Sequence, residues 1–340
     1  MNARRRTILA MAAALACPGL AWARRLPSRR LRISAVTYRG RTRVEDGFEA
    51  YLAARGMVAE ILWHDIARDP GRLPDVVARI RGEAPDLVYT WGTTVSLGVL
   101  GPFDGIEPAR HVTDVPAVFT LVADPVGARL VPSMATPGRA LTGVSHMAPL
   151  EAQLRAMASY RAFEAMGVIY SPTEKNARLA VAGVEALGRR QGFAVLTRPF
   201  PLDDNGRPDG TQAGRLVDEL RRAGAQWLYL PPDSFLTTVA PQLLARATEI
   251  GLPSFASTEA LVRAGALTGI VSGYEAVGQF TAFKAEQILL QGRAPASIPV
   301  ETLSRFSLPV NLPVARRLGL PPPLAMFDYA ELLDDQGGAR

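Results

Sequence analysis

Polar residues follow a short apolar run between residues 86 and 96, where the sequence is Asp-Leu-Val-Tyr-Thr-Trp-Gly-Thr-Thr-Val-Ser. The run 87–91 has the β-prone, apolar composition of a strand that is covered on both faces. Gly92 permits a tight turn after it. Three hydroxyl side chains of the kind that cap helices come next: Thr93, Thr94 and Ser96. A helix N-terminus presents free N–H groups and a positive dipole end, so this turn predicts a site for a ligand carboxylate.

Three further strand ends, at residues 122–125, 169–174 and 230–234, carry the same kind of polar turn. The ligand-facing candidates that they supply are Asp124, Ser171, Thr173, Asn176, Asp233 and Ser234. A carboxylate at Asp233 suits a ligand ammonium, opposite helix N-termini that suit a carboxylate. If the four turns face one another, they form the cleft of a two-lobed protein that binds a small molecule.

Each of these residues also has a purely structural interpretation. Asp124 precedes Pro125, and a turn alone explains that pair. The segment 171–174, Ser-Pro-Thr-Glu, fits a capping box with proline at the first helical position, in which Glu174 is a cap. Asp233 is also a suitable N-cap for the helix that follows it.

Aromatic residues lie at or just past several predicted strand ends: Tyr38, Trp91, Tyr170 and Tyr274. Aromatic faces in a cleft stack on flat or apolar ligands, whereas the alternative is that these rings belong to the core. We select Tyr38 and Tyr274 as the pair that faces the ligand.

Motifs for catalysis or metal binding do not emerge. The three histidines, at 64, 111 and 146, are far apart in sequence. Residues 143–146, Gly-Val-Ser-His, lack the second glycine of a nucleophile elbow, and no glycine-rich phosphate loop follows a strand. The acidic stretch 202–210 lacks the ligand spacing of a calcium loop. We therefore expect a protein that is not an enzyme and has no metal and no cofactor.

Alternating strand and helix patterns run along the chain. Strands are expected near residues 31–36, 58–63, 87–91, 115–122 and 141–145, then at 165–170, 193–198, 227–230, 253–257 and 267–272. Amphipathic helical patterns separate them, a long one at 276–290 follows, residues 298–308 look extended, and the chain from 328 onward looks frayed. This alternation predicts an α/β fold with two doubly wound parallel sheets, which bind ligands at the carboxyl ends of their strands.

Composition argues against nucleic acid as a partner. The chain has 340 residues and a net charge of +6, with a pI of about 9.8. Only two lysines are present, at 175 and 284, and the many arginines are scattered along the chain. In a protein that binds nucleic acid, the arginines would be clustered in a stripe on one face.

The amino terminus has the organisation of an export signal. Arginines at 4–6 precede a short apolar run, and Ala21-Trp-Ala23 is a suitable cleavage site. We predict removal of residues 1–23 and a periplasmic location, with Arg5-Arg6 giving the signal some twin-arginine character. Lipid attachment at Cys17 is not expected, because the residues before it do not fit such a signal.

Several blocks, in preserved order, make the mature chain resemble the ABC transporter substrate-binding proteins of the tryptophan/tyrosine type. These blocks are residues 47–48, 85–88 with 92–93, 118–119 with 124–127, 142–145, 167–174, 265–266, 278–292 with 295–301, and 311 with 318–320. The resemblance implies a type I periplasmic-binding fold whose two lobes are joined by a three-segment hinge. We place its crossings near residues 146, 257 and 295, which gives a first lobe of 31–146 plus 258–294 and a second of 147–257 plus 295–336.

The resemblance also implies a function, which is the capture of a small amino-acid-like or carboxylate ligand by hinge closure. The closed form would dock on an ABC permease in the inner membrane, and we expect a monomer. Two alternatives stay open. One is an exported sensory binding protein that signals to a membrane receptor, and the other is an exported α/β hydrolase with an unusual site.

Overall fold

The computed structural model describes residues 30–334 and contains two β-sheets. The first has five parallel strands in the order β2-β1-β3-β4-β5. They are β1 (Leu31–Thr37), β2 (Ala59–Asp65), β3 (Leu87–Trp91), β4 (Ala117–Thr120) and β5 (Leu141–Val144). Its helices are α1 (Arg43–Ala54), α2 (Leu73–Glu83), α3 (Gly92–Leu100) and, from late in the chain, α9 (Tyr274–Leu289).

The second sheet has seven strands in the order β12-β11-β10-β9-β8-β6-β7. They are β6 (Ala165–Tyr170), β7 (Ala194–Pro199), β8 (Trp227–Leu230), β9 (Ser254–Ala256), β10 (Thr268–Gly269), β11 (Leu308–Asn311) and β12 (Ala330–Leu333). Its helices are α4 (Leu150–Tyr160), α5 (Lys175–Gln191), α6 (Ala213–Arg222), α7 (Leu236–Glu249), α8 (Glu259–Arg263) and α10 (Leu312–Leu318). All neighbouring pairs are parallel except β10 with β11.

Both sheets are covered on both faces by apolar side chains. In the second sheet, neighbouring residues of β8 point to opposite cores: Leu228 packs with α6 and α7, and Tyr229 packs with α4 and α5. In the first sheet, Leu87 and Val88 of β3 divide in the same way. This arrangement confirms the predicted doubly wound α/β fold with two lobes.

Helix α9 returns to the first lobe and packs closely on α1. Each helix contributes a glycine at the contact. A Cβ added to Gly278 would lie 1.9 Å from the Val44 carbonyl oxygen, and one added to Gly47 would lie 2.1 Å from the Glu275 carbonyl oxygen. Only glycine permits the two backbones to approach so closely.

The chain crosses between the sheets three times, after β5, after β10 and before β11. The crossings are tied together: the Ser272 hydroxyl donates to the His146 carbonyl oxygen at 2.9 Å, and Val271 and Ser307 exchange two backbone hydrogen bonds. The structure therefore has the three hinge segments that the resemblance implied.

Two of the predicted crossing positions need correction. The second crossing lies after β10 and not near residue 257, because β10 pairs with β9 in the second sheet and α8 precedes it. The third lies after residue 301 and not near 295. Glu301 bridges to Val144 of the first sheet, and Ile298 belongs to the first-lobe core. Residues 258–272 therefore lie with the second lobe, and 295–301 lie with the first.

Other expectations change in detail. The tail expected to fray from residue 328 forms β12, which pairs in parallel with β11. The predicted strand 115–122 ends at Thr120, because Leu121 turns into the left-handed region with φ of 53°. The predicted export signal at 1–23 and Cys17 lie outside the described residues. Within residues 30–334, no helix has the length and apolar character needed to cross a bilayer.

Candidate ligand-binding cleft

Strand ends of both sheets meet at a cleft between the lobes. The empty space between its lining residues, counted together with solvent at its open side, is about 490 Å³. From the first lobe it is lined by Tyr38, Arg39, Trp91, Gly92, Thr93, Thr94, Leu121, Ala123 and Tyr274. The second lobe and the first crossing contribute His146, Asn176, Pro232, Asp233, Ser234, Thr237 and Thr258. Seven of the predicted site residues therefore come together: Tyr38, Thr93, Thr94, Asn176, Asp233, Ser234 and Tyr274.

The first-lobe wall includes the start of α3. Gly92 has a φ of 75° and turns the chain from β3 into the helix, as the sequence predicted. No side chain caps this helix, and Gly92, Thr93 and Thr94 line the cleft. Ser96 does not belong to the cleft, because its buried hydroxyl is 2.9 Å from the Thr90 hydroxyl behind the wall.

Aromatic rings form much of the same wall. Tyr38 and Trp91 are stacked, with centroids 6.4 Å apart and planes 11° apart. Burial, and then the negative charges of Glu174 and Asp233, raise the pKa of Tyr38 to about 12. Those two carboxyl groups belong to the second lobe, so Tyr38 faces them across the cleft. Tyr274 is buried in the wall, whereas Tyr170 is not part of it.

The second-lobe wall is built around two buried carboxyl groups. Asp233 accepts the backbone N–H groups of Ser171 at 2.6 Å and Leu236 at 3.0 Å, so it caps α7. Burial and the neighbouring Glu174 hold the pKa of Asp233 well above its usual range. Asn176 is placed by its side-chain amide, which donates to the Pro232 carbonyl oxygen at 2.7 Å.

The predicted capping box at 171–174 is wrong. Helix α5 begins at Lys175 with Glu174 as its N-cap, and no side chain caps it. Glu174 instead holds the turn that leads into α7: its carboxylate accepts the N–H groups of Ser234 at 2.9 Å and Phe235 at 2.8 Å. Proline at 172 lies before the helix and not in its first turn.

Three more candidates lie outside the cleft lining. Ser171 is fully buried, and its hydroxyl is 2.9 Å from that of Thr173, which points to solvent. Asp124 is exposed and accepts the Gly127 N–H at 2.8 Å, which is the structural alternative for that residue. The structure places these side chains in turns that shape the two walls.

Three buried side-chain polar atoms in the described part of the chain have no hydrogen-bond partner: Trp91 Nε1, His146 Nδ1 and Thr258 Oγ1. All three residues line this one cleft. Burial lowers the pKa of His146 to about 4, so its imidazole is neutral at physiological pH. The Thr258 hydroxyl is near enough to the Tyr274 hydroxyl to affect its pKa, although their geometry falls outside that of a hydrogen bond. Because a buried polar atom without a partner is costly, the cleft is built to receive polar groups.

Two side chains reach across the cleft. Arg39 Nη1 donates to Thr237 Oγ1 at 2.6 Å, and Lys175 Nζ donates to the Ala128 carbonyl oxygen at 2.7 Å. The Arg39 guanidinium also lies 5.2 Å from the centroid of the Trp91 ring. Sequence reasoning did not select Arg39, Thr237, His146 or Thr258. The available signal for Arg39, His146 and Thr258 was their position two residues past a strand end, whereas Thr237 lies in the first turn of α7 and had no such signal.

Comparison with known proteins decides the family. The family model described as ABC transporter substrate binding protein matches residues 33–331. The chain belongs to this family. This membership confirms the predicted resemblance to ABC transporter substrate-binding proteins, which are a family of ligand binders.

Individual relatives of this substrate-binding protein are distant. A tyrosine-binding protein of Clostridioides difficile (strain R20291) is 26% identical over 241 residues, which are 69% of this chain. The matched region spans 64% of that relative's length.

Solved structures share the fold. A conserved domain protein from Vibrio cholerae has a TM-score of 0.77 at 21% identity and covers 89% of this chain and 99% of its own. A domain from Streptococcus pneumoniae in complex with L-Trp has a TM-score of 0.74 at 23% identity, covering 88% and 99%. A ligand-free, open substrate-binding protein from Clostridium difficile has a TM-score of 0.67 at 22% identity, covering 89% and 99%.

Proposed function

We propose that the chain is the extracytoplasmic substrate-binding component of an ABC importer and captures an amino-acid-like ligand between its lobes. The observation that carries this proposal is the placement of three buried polar atoms without partners, on Trp91, His146 and Thr258, in the wall of one inter-lobe cleft. A ligand that supplies donors and acceptors there removes their desolvation penalty.

The two walls complement the two ends of an amino acid. The first lobe offers the uncapped start of α3 and the cation of Arg39, which suit a carboxylate. The second lobe offers Asp233 and the oxygen of Ser234, which suit an ammonium group. The stacked rings of Tyr38 and Trp91 suit a flat side chain. The names of two relatives, one tyrosine-binding and one bound to L-Trp, support the same ligand class.

Capture by hinge closure follows from the contacts between lobes. Arg39 with Thr237, and Lys175 with Ala128, join the two walls in the closed arrangement. A ligand that touches both walls favours this arrangement, because it interacts with both lobes only when they are together. The export signal at 1–23, the periplasmic location, the monomeric state and recognition of the closed form by a permease belong to the same proposal.

Titration calorimetry with a panel of amino acids tests the proposal. We expect the wild-type protein to bind one class, with L-tyrosine and L-tryptophan as the first probes. Trp91→Phe keeps an aromatic ring but removes the Nε1 donor, and should weaken binding by about 0.5–1.5 kcal/mol, or up to about 3 kcal/mol for a charged acceptor. Trp63→Phe is the matched control, because Trp63 lies outside the cleft and packs edge-on to Tyr89.

Two results would count against the proposal. If no amino acid gives a heat of binding, the ligand does not belong to this class. If wild type, Trp91→Phe and Trp63→Phe bind with equal affinity, the ligand does not bind in this cleft. An unaltered melting temperature of Trp91→Phe would show that lost affinity does not come from unfolding.

A further inference from the structure

Arg39 is a cation in the cleft whose charge has no acidic partner among residues 30–334. Its guanidinium contacts a hydroxyl group and an aromatic ring. By contrast Arg41, two residues later, pairs with both Asp46 and Glu49. An arginine that lines a cleft without a carboxylate partner retains its charge for an anion that enters.

The guanidinium is held in place from two sides. Thr237, in the first turn of α7, accepts one N–H at 2.6 Å from the second lobe. The Trp91 ring of the first lobe lies against the cation, 5.2 Å away. A guanidinium has five N–H donors in one plane, so the Thr237 bond leaves donors for a carboxylate.

Two tyrosines, Tyr38 and Tyr274, line the same cleft as this charge. Burial raises the pKa of both Tyr38 and Tyr274, and the charge of Arg39 acts in the opposite direction on each. Arg39 therefore lies near both tyrosines of the cleft wall. A carboxylate bound to Arg39 would place the rest of a ligand among these rings.

We propose that Arg39 is the carboxylate receptor of the cleft and, through Thr237, the bridge that holds the lobes closed around the acid group. This inference rests on the proposed function and names the group that recognises one end of the ligand. It assigns the main anion contact to a side chain, and the uncapped start of α3 adds to it. Because the bridge exists only when the lobes are together, binding of the acid group and closure support each other.

The test compares acids with their amides. Affinities for L-tyrosine, L-tyrosinamide, L-tryptophan and L-tryptophanamide are measured on the full chain and on three variants: Arg39→Gln, Thr237→Val and Thr238→Val. Thr238→Val is the matched control. The Thr237 and Thr238 hydroxyls each donate to the carbonyl three residues earlier at 2.7 Å, but of the two only Thr237 accepts from Arg39.

We expect the wild-type protein to prefer acid over amide by at least about tenfold, as charge-assisted hydrogen bonds do. Arg39→Gln should reduce that ratio to near one. It should also weaken amide binding by about three- to tenfold, because it removes the bridge as well as the cation. Thr237→Val should weaken acid and amide alike by about three- to tenfold, since it removes the bridge but keeps the cation. Thr238→Val should match wild type.

Two outcomes overturn the inference while the proposed function stands. If Arg39→Gln keeps the acid preference, the carboxylate is recognised elsewhere. If Thr237→Val and Thr238→Val bind equally, the bridge does not hold the lobes closed. The melting temperatures of all variants should lie within a few degrees of wild type, so that changes in affinity do not come from unfolding.

A wild-type protein that binds none of the four compounds would refute the amino-acid proposal and the receptor role together. Whether the Arg39–Thr237 bridge holds the lobes together can then be tested without ligand. Nitroxide labels are attached to cysteines introduced as Arg110→Cys in the first lobe and Asn205→Cys in the second, with Cys17→Ser removing the native cysteine, and the distance between them is measured by electron-spin resonance. A longer or broader distance distribution for Thr237→Val than for Thr238→Val supports the bridge, and identical distributions refute it.

Discussion

His146 should make the fold less stable at acidic pH. The residue is 5% exposed, and its Nδ1 has no partner in the described part of the chain. Burial lowers its pKa from the ordinary 6.5 to about 4. As the pH falls from 6.5 towards 4, the unfolded chain takes up a proton that the folded chain does not. The free energy of unfolding therefore falls with pH in this window, and His146 has no such effect above it.

The size of the effect follows from that pKa difference. Each tenfold change in a protonation constant corresponds to about 1.4 kcal/mol, so His146 should cost the fold about 3 kcal/mol by pH 4 and about 2 kcal/mol at pH 5. The buried carboxyl groups of Glu45 and Asp233 have raised pKa values and act in the opposite direction. They are present in wild type and variant alike, so they cancel in a comparison.

Urea unfolding followed by far-ultraviolet circular dichroism, at pH values from 7.5 to 4, measures this effect. The unfolding free energy of His146→Gln should fall with acid by about 3 kcal/mol less than that of wild type. His111→Gln is the comparison. Burial also lowers the pKa of His111, but this residue is only half-buried and its Nδ1 accepts the Glu107 N–H at 3.0 Å, so its effect should be smaller than that of His146. Parallel curves for wild type and His146→Gln would refute the assignment of a neutral, buried imidazole.

Two further predictions concern stability away from the cleft opening. Gly278→Ala should lower the free energy of unfolding by about 1–3 kcal/mol or more, because its Cβ would lie 1.9 Å from the Val44 carbonyl oxygen. The control Gly82→Ala has open space around its Cβ and should raise the free energy of unfolding by up to about 1 kcal/mol. Equal urea midpoints for the two variants would contradict the close helix contact. Glu174→Ala should cost about 2 kcal/mol or more in thermal unfolding, because the two N–H groups in the turn before α7 lose their acceptor. A loss no larger than that of Glu185→Ala, in the middle of α5, would show that water replaces the carboxylate.

Much of the fold can be predicted from local patterns. Buried parallel strands are continuous apolar runs, and the turn at Gly92 requires a positive φ that the sequence supplies. The crossing positions could not be placed in the same way. Strand β10 has only two residues, and it belongs to the second sheet because it pairs with β9. A local sequence pattern gives no information about such a pairing.

The cleft was predictable only in part, because its two walls come from distant parts of the chain. Turn composition found Thr93, Thr94 and Asp233, which lie directly after strands. It also selected Ser96, whose position one turn into α3 directs its hydroxyl back to β3. Arg39 carries no motif, and its role follows from a contact with Thr237 almost two hundred residues away.

The central claim is that the inter-lobe cleft binds the ligand through its unpartnered polar atoms. A crystal structure of the protein with its bound small molecule tests this claim most directly. We predict ligand oxygen or nitrogen atoms within about 2.7–3.2 Å of Trp91 Nε1 and His146 Nδ1, with the ligand carboxylate on Arg39. A ligand bound outside the lining residues, or one in the cleft that leaves both nitrogen atoms without partners, would contradict the account.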